Sequence, residues 1–156
     1  VRSHIYCRIA REQEAPVFFE WAMANREQSD FDPMVATYEN TITMCAFDED
    51  GPLAFLPLQQ PLLIDAESKP RPVAETPMFL EGMAFRPGIS KPDVSRAMKE
   101  LLQFAVSLGY LKGTGEIYFL SSDKGTETLA ANQIFERLPH TVYRLRLSDL
   151  EKKTCA

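Results

Sequence analysis

Hydrophobic and polar positions change period several times along this chain, and each change marks an element. Between His4 and Ala10 the residues Ile5, Cys7 and Ile9 alternate with Tyr6 and Arg8, the period of two that a half-buried strand shows. From Glu12 the spacing lengthens. Ala15, Phe18, Phe19, Ala22 and Met23 fall on one helix face, and the cluster Ser29-Asp30-Phe31-Asp32-Pro33 stops or bends that helix. Trp21 lies beside this face and reads as a core or interface anchor, and a homodimer is a separate expectation for the chain. Thr41–Phe47 and Pro52–Leu58 are β-like runs joined by Asp48-Glu49-Asp50-Gly51, a polar link ending in glycine, which predicts a hairpin.

Prolines at 57, 61, 70, 72 and 77 surround the apolar run Pro61–Ile64 and predict an edge strand followed by an irregular loop. Met78 to Phe85 resumes extended character. A tight turn follows, then a helix whose Val94, Ala97, Met98, Leu101, Leu102, Ala105 and Leu108 keep helical spacing. Ser90 is placed to cap it, with Pro92 in the first turn and Asp93 reaching back as in a capping box. Lys112-Gly113-Thr114-Gly115 leads into a strand at Glu116–Leu120. Thr126–Arg137 reads as a short helix capped by Ser122 or Asp123, and Thr141–Leu147 as a strand that wets Arg144 and Arg146. A hairpin meander followed by a strand–helix–strand unit belongs to the α/β class: one domain over residues 1–156, a three-layer fold with a mixed, mostly antiparallel sheet and helices on both faces.

Composition narrows the partners. With 45% hydrophobic and 25% charged residues and no apolar run of membrane-spanning length, the chain reads as a cytoplasmic globule. A net charge of −5 with thinly spread Lys and Arg argues against a nucleic-acid or anionic membrane surface. The three cysteines, Cys7, Cys45 and Cys155, lack metal-ligand or disulfide spacing, and Asp48, Glu49 and Asp50 are turn residues rather than a calcium loop, so no metal is expected. His4 and His140 flank strands singly and are read as surface residues.

The string EGMAFRPG, SRAMKELLQFAVSLGY and GEIYFLSSDKGTETLAANQIFERLP resembles the second half of the GNAT superfamily of N-acetyltransferases. Ala105 to Gly109 matches the family's A-x-x-x-G, and Leu129 to Glu136 stands where the family has a Y-e-k-x-G-F-e stretch. The resemblance implies an acyl-CoA-dependent N-acyltransferase, with acetyl-CoA or another acyl-CoA as donor and a small-molecule or peptide amine as acceptor. Glu81 would be the general base. The family's tyrosine position falls on Ala130, so Tyr118 on the next strand would substitute as acid. Met83 and Phe85 would border the pantetheine, with the amine entering from the Pro57–Pro77 side.

That family holds a diphosphate with an R/Q-x-x-G-x-G/A turn, whose successive amides form an anion cradle. Counting back from Gly109, the glycine positions fall on Pro92 and Val94 and the Arg/Gln position on Ile89. Proline has no N–H and valine adds bulk. Ser90, Lys91, Ser95 and Arg96 would then replace the missing amides with hydroxyls and positive charge, against the opposing charge of Asp93. The alternative is a catalytically inactive GNAT-like binding module in which this turn is purely structural.

Overall fold

A computed structural model describes residues 4–24, 41–60, 67–69, 76–119, 128 and 135–138. The element order is β1 (Tyr6–Ile9), α1 (Ala15–Ala24), β2 (Thr41–Asp48), β3 (Gly51–Gln59), β4 (Met78–Leu80), β5 (Ala84–Phe85), α2 (Lys91–Lys112) and β6 (Ile117–Phe119). The sheet runs β1-β2-β3-β4-β6, with β5 also on β3; every pairing is antiparallel except that of β4 with β6, which is parallel. The mixed, mostly antiparallel sheet expected from the pattern is the one observed.

Strand alternation divides two cores. On β2, Met44 and Ala46 face a core shared with Leu56 and Leu58 of β3, Met78 and Leu80 of β4, and Ala97, Leu101, Leu102, Ala105 and Leu108 of α2. Cys45 between them faces the other way, into a smaller core with Phe18, Trp21 and Ala22 of α1, Phe55 and Ala84. Helices therefore cover both faces, and β3, buried on both sides, is the central strand. The helix of the second layer is anchored by Trp21, whose ring lies 5.3 Å from Phe55, while Met23 is 51% exposed. Met23 thus leaves the face the spacing assigned to it, and Trp21 enters as core, one of the two roles open to it.

The turns follow from their residues. Glu49 and Asp50 link β2 to β3, the Asp48 carboxylate accepts from the Asp50 amide at 2.9 Å, and Gly51 adopts φ 112°. Arg86-Pro87-Gly88-Ile89 is a turn closed by Ile89 N–H to Arg86 O at 3.2 Å; proline suits its second position and Gly88, at φ 76°, its third. Helix α2 ends on Gly113 in the left-handed region. Gly109 sits where a Cβ would lie 3.2 Å from Ile117 Cδ1, so its missing side chain sets the close approach of α2 to β6. Phe135 to Leu138 are not helical, so the helix expected to reach Arg137 stops short of it, although Thr128 is helical. The bend at 29–33, the edge strand at 61–64 and the strand at 141–147 lie outside the described residues.

Candidate functional site

The strand entering α2 is broken, and the break builds the site. In β4 the ladder runs Phe79 opposite Gln59 and Leu80 opposite Leu58, and the Glu81 amide continues it by donating to Pro57 O at 3.0 Å. By Ala84 the partner is Phe55, so the chain takes three steps from Glu81 while β3 takes two. Gly82 and Met83 together face Leu56: a β-bulge with one extra residue. Side chains confirm it. Met78 and Leu80 point to the α2 core, whereas Ala84 points to the α1 core, a reversal that only an inserted residue produces in a two-residue period.

The described part of β6 ends opposite Leu80. Parallel pairing joins Met78–Leu80 to Ile117–Phe119, after which β5 pairs with β3 and, among the described residues, with no other strand. The edge of residues 81–83 that would face β6 has no ladder partner among the described residues, which opens a wedge where an extended chain can add its own hydrogen bonds. Met83 and Phe85 pack partly buried against the α2 core beside this wedge. Glu81, on the α1 side, is half-buried, and burial pushes its carboxyl above the usual carboxylate range.

Tyr118 stands next to Phe79, the rings 5.7 Å apart and nearly parallel, on the face that alternation also gives Glu81. The apolar run Ile-Tyr-Phe-Leu at 117–120 by itself reads Tyr118 as core; instead its hydroxyl reaches outward and donates to the Glu116 carboxylate, which raises its pKa. The structure therefore places Glu81 and Tyr118 on one side of the sheet, with Phe79 between their strand positions.

At the start of α2 the amides are largely spent. Ile89 N–H closes the preceding turn, Pro92 has none, Asp93 N–H goes to Ser90 Oγ at 3.3 Å and Val94 N–H to Ser90 O at 2.9 Å. From Ile89 to Val94 only the amides of Ser90 and Lys91 remain outside these bonds among the described residues. Ser90 is the N-cap as expected. The capping box is modified, because the Asp93 carboxylate accepts from the Ser90 hydroxyl at 2.7 Å and from Arg96 at 3.1 Å instead of from the Ser90 amide. Lys91 and Ser95 are exposed, and Arg96 is committed to Asp93. The wedge suits a pantetheine arm. The helix start does not suit a diphosphate, since its three cradle positions offer no donor and a carboxylate sits in the first turn.

Two features escaped the sequence reading. Gly82, a lone glycine inside an apolar extended run, is the usual mark of a bulge. The second is Arg86, whose Nη1 and Nη2 grip Asp48 at 3.0 and 2.8 Å while Nε and Nη2 also donate to Pro52 O and Gly51 O. Pairs so far apart in sequence leave no local signal. Among the described residues no group of three His, Cys, Asp or Glu is placed to hold a metal ion, and no helix is long and apolar enough to cross a membrane.

No protein-family model matches the chain, and no curated protein matches it. Solved structures do. An aminoglycoside N-acetyltransferase in complex with CoA superimposes with a TM-score of 0.66 at 13% identity, covering 94% of this chain and 97% of that one. A predicted acetyltransferase from Clostridium acetobutylicum with acetyl-CoA gives a TM-score of 0.67 at 10% identity, covering 94% and 98%. A ribosomal-protein-alanine N-acetyltransferase from Brucella melitensis biovar Abortus 2308 gives 0.66 at 10% identity, covering 91% and 98%. The chain has the N-acetyltransferase fold, and the GNAT resemblance is borne out at that level.

Proposed function

We propose that this chain is an N-acyltransferase that passes an acyl group from a pantetheine thioester to an amine. The observation that carries the reading is the Gly82–Met83 bulge, beside which the strand edge has no ladder partner among the described residues. Its likeness to N-acetyltransferases solved with CoA and acetyl-CoA supports the same assignment. In this reading the pantetheine amides pair with the backbone of residues 81–83, bringing the thioester to the bulge. Glu81 takes the proton from the attacking amine, directly or through water. The amine nitrogen bonds to the thioester carbon and the C–S bond breaks, releasing a thiolate. A carboxyl raised by burial remains a competent base at neutral pH while being a better match to an amine proton than an exposed one. Tyr118, on the same side of the sheet as Glu81, supplies the acid.

The test is release of free thiol from acetyl-CoA in the presence of spermidine, kanamycin or a lysine peptide. Thiol release that requires both donor and amine supports the reading. Acetyl-CoA that neither shifts the melting temperature nor loses its acyl group overturns it; saturation at 100 times the dissociation constant would stabilise by about 2.7 kcal/mol. The second reading, a binding module without turnover, draws on the closed start of α2. It predicts no melting shift with millimolar acetyl-CoA and no thiol release with any amine.

A further inference from the structure

We propose that the donor is recognised by its pantetheine arm alone and that its phosphate-bearing end adds no affinity, so that the substrate class is an acyl-pantetheine thioester whatever carries it. This rests on the transferase reading above. Its evidence is separate: the two halves of the donor site are in opposite states. At the thioester end the bulge is in place and its strand edge has no ladder partner among the described residues, both backbone features. At the phosphate end the amides of Ile89, Asp93 and Val94 are bonded within the chain and Pro92 contributes none, which leaves those of Ser90 and Lys91 alone outside these bonds among the described residues.

Among the described residues, side chains do not restore what the backbone lacks. Arg96 donates to Asp93 at 3.1 Å, and Asp93 in turn accepts from Ser90, so one cation, one anion and one hydroxyl satisfy one another across the first turn. Lys91 is left as an exposed cation, and an exposed ion pair adds little once solvent screens it. The carboxylate of Asp93 meanwhile sits where the helix dipole would otherwise attract a phosphate. A chain of net charge −5 adds no favourable field.

The experiment is calorimetric titration of the full chain with pantetheine, 4′-phosphopantetheine, dephospho-CoA and CoA. The expected result is dissociation constants within threefold of one another, unchanged between 50 and 300 mM salt. CoA binding more than about thirtyfold tighter than pantetheine, or losing affinity with salt, overturns the proposal while leaving the transferase reading standing. Binding by none of the four removes both. A second measurement keeps the two apart: S-acetylpantetheine should support turnover with kcat/KM within about fivefold of acetyl-CoA, and its failure while acetyl-CoA turns over overturns the proposal. Acetyl arms presented on CoA and on a holo carrier protein identify the carrier. Preference for either supports the proposal so long as the free arm is also used. Replacing Lys91→Ala should change CoA affinity less than twofold, and a tenfold loss would show a phosphate grip.

Discussion

Replacing Arg86 with methionine should lower stability by about 3 kcal/mol, because this side chain ties the strand leading into α2 to the β2–β3 turn. Its guanidinium makes two bonds to Asp48, one to Pro52 O and one to Gly51 O. Methionine keeps the apolar stem and removes all four. A hydrogen bond to a charged group contributes roughly 1.5–3 kcal/mol, and a carboxylate left without its partner adds a desolvation cost. Asp48 is 12% exposed, so it does not simply return to water. Two effects hold the sum down: the guanidinium is 26% exposed and therefore screened, and the Asp50 amide still donates to Asp48. For a chain of this length about 3 kcal/mol corresponds to a melting temperature roughly 6–12 °C lower.

The pH dependence sharpens the assay. Arg86 holds the Asp48 carboxyl below its ordinary value of 3.8, so the folded state binds its proton less readily than the unfolded chain. The stabilisation is complete above the ordinary value and is lost as pH falls through the lower folded value. Thermal melts of the two proteins should therefore stand furthest apart at pH 7, remain so to pH 5 and draw closer as pH falls below the ordinary carboxylate value, leaving the part owed to the Pro52 O and Gly51 O bonds. Glu14 is held down in the same way by Arg8, but that pair is present in both proteins and cancels in the difference. A double-mutant cycle with Asp48→Asn should return a coupling of about 1.5–3 kcal/mol. A melting difference under 2 °C at pH 7, or one that stays constant down to pH 2.5, would refute the clamp.

Glu81→Gln should leave pantetheine binding intact, lower the acyl-transfer rate and raise the melting temperature at pH 7. The last effect follows because burial raises the folded carboxyl above its unfolded value, so the ionised form is the destabilising one and the gain should vanish as pH drops below the unfolded value. Gly113→Ala should cost about 1–2 kcal/mol in chemical denaturation, since φ 72° at the end of α2 strains a Cβ, and an unchanged midpoint would contradict the cap. Ser90→Ala should cost about 1 kcal/mol by freeing the Asp93 amide, with Ser90→Gly costing less. Cys7 and Cys45, both with thiols pushed up to about 12 chiefly by burial, should resist iodoacetamide at pH 8 in the native protein and react after unfolding; rapid native labelling at either, read by mass spectrometry of the peptides, would count against the packing.

What could be read from the chain in advance divides along the range of the interactions. The β-like run Thr41–Phe47 predicted a strand, Asp48 to Gly51 its hairpin, and Ser90 caps a helix whose period picked out Ala97, Met98, Leu101, Leu102, Ala105 and Leu108, all buried, while Val94 on the same period is only partly so. Each is set by neighbours within a few positions. The parallel partnership of β4 with β6 and the Arg86–Asp48 clamp join residues nearly forty positions apart, and nothing local encodes them. Tyr118 was misplaced for a related reason: an apolar run predicts a buried strand, but here Ile117 and Phe119 pack toward α2 while Tyr118, between them, meets Phe79 and Glu116 on the other face. Trp21 and Met23 differ by a rotation of the helix that spacing alone does not determine.

On the proposed reading, the two halves of the donor site depend on different features of the chain, which shares the acetyltransferase fold at 10–13% identity. A wedge between strands depends on register: Glu81 opposite Pro57, Ala84 opposite Phe55, and a glycine that tolerates the extra residue between them. Many side chains are compatible with that backbone path, and the two cores on either face hold it in place. A diphosphate cradle depends instead on the absence of side chains and on amides left unbonded, and each substitution there acts directly on the ligand. Pro92 deletes a donor, Ser90 consumes another, and Asp93 reverses the local charge, yet all three are favourable residues for starting a helix. On that reading the residues that occupy most of the phosphate end are also the ones that start α2 well, so the helix and the fold do not depend on a nucleotide grip.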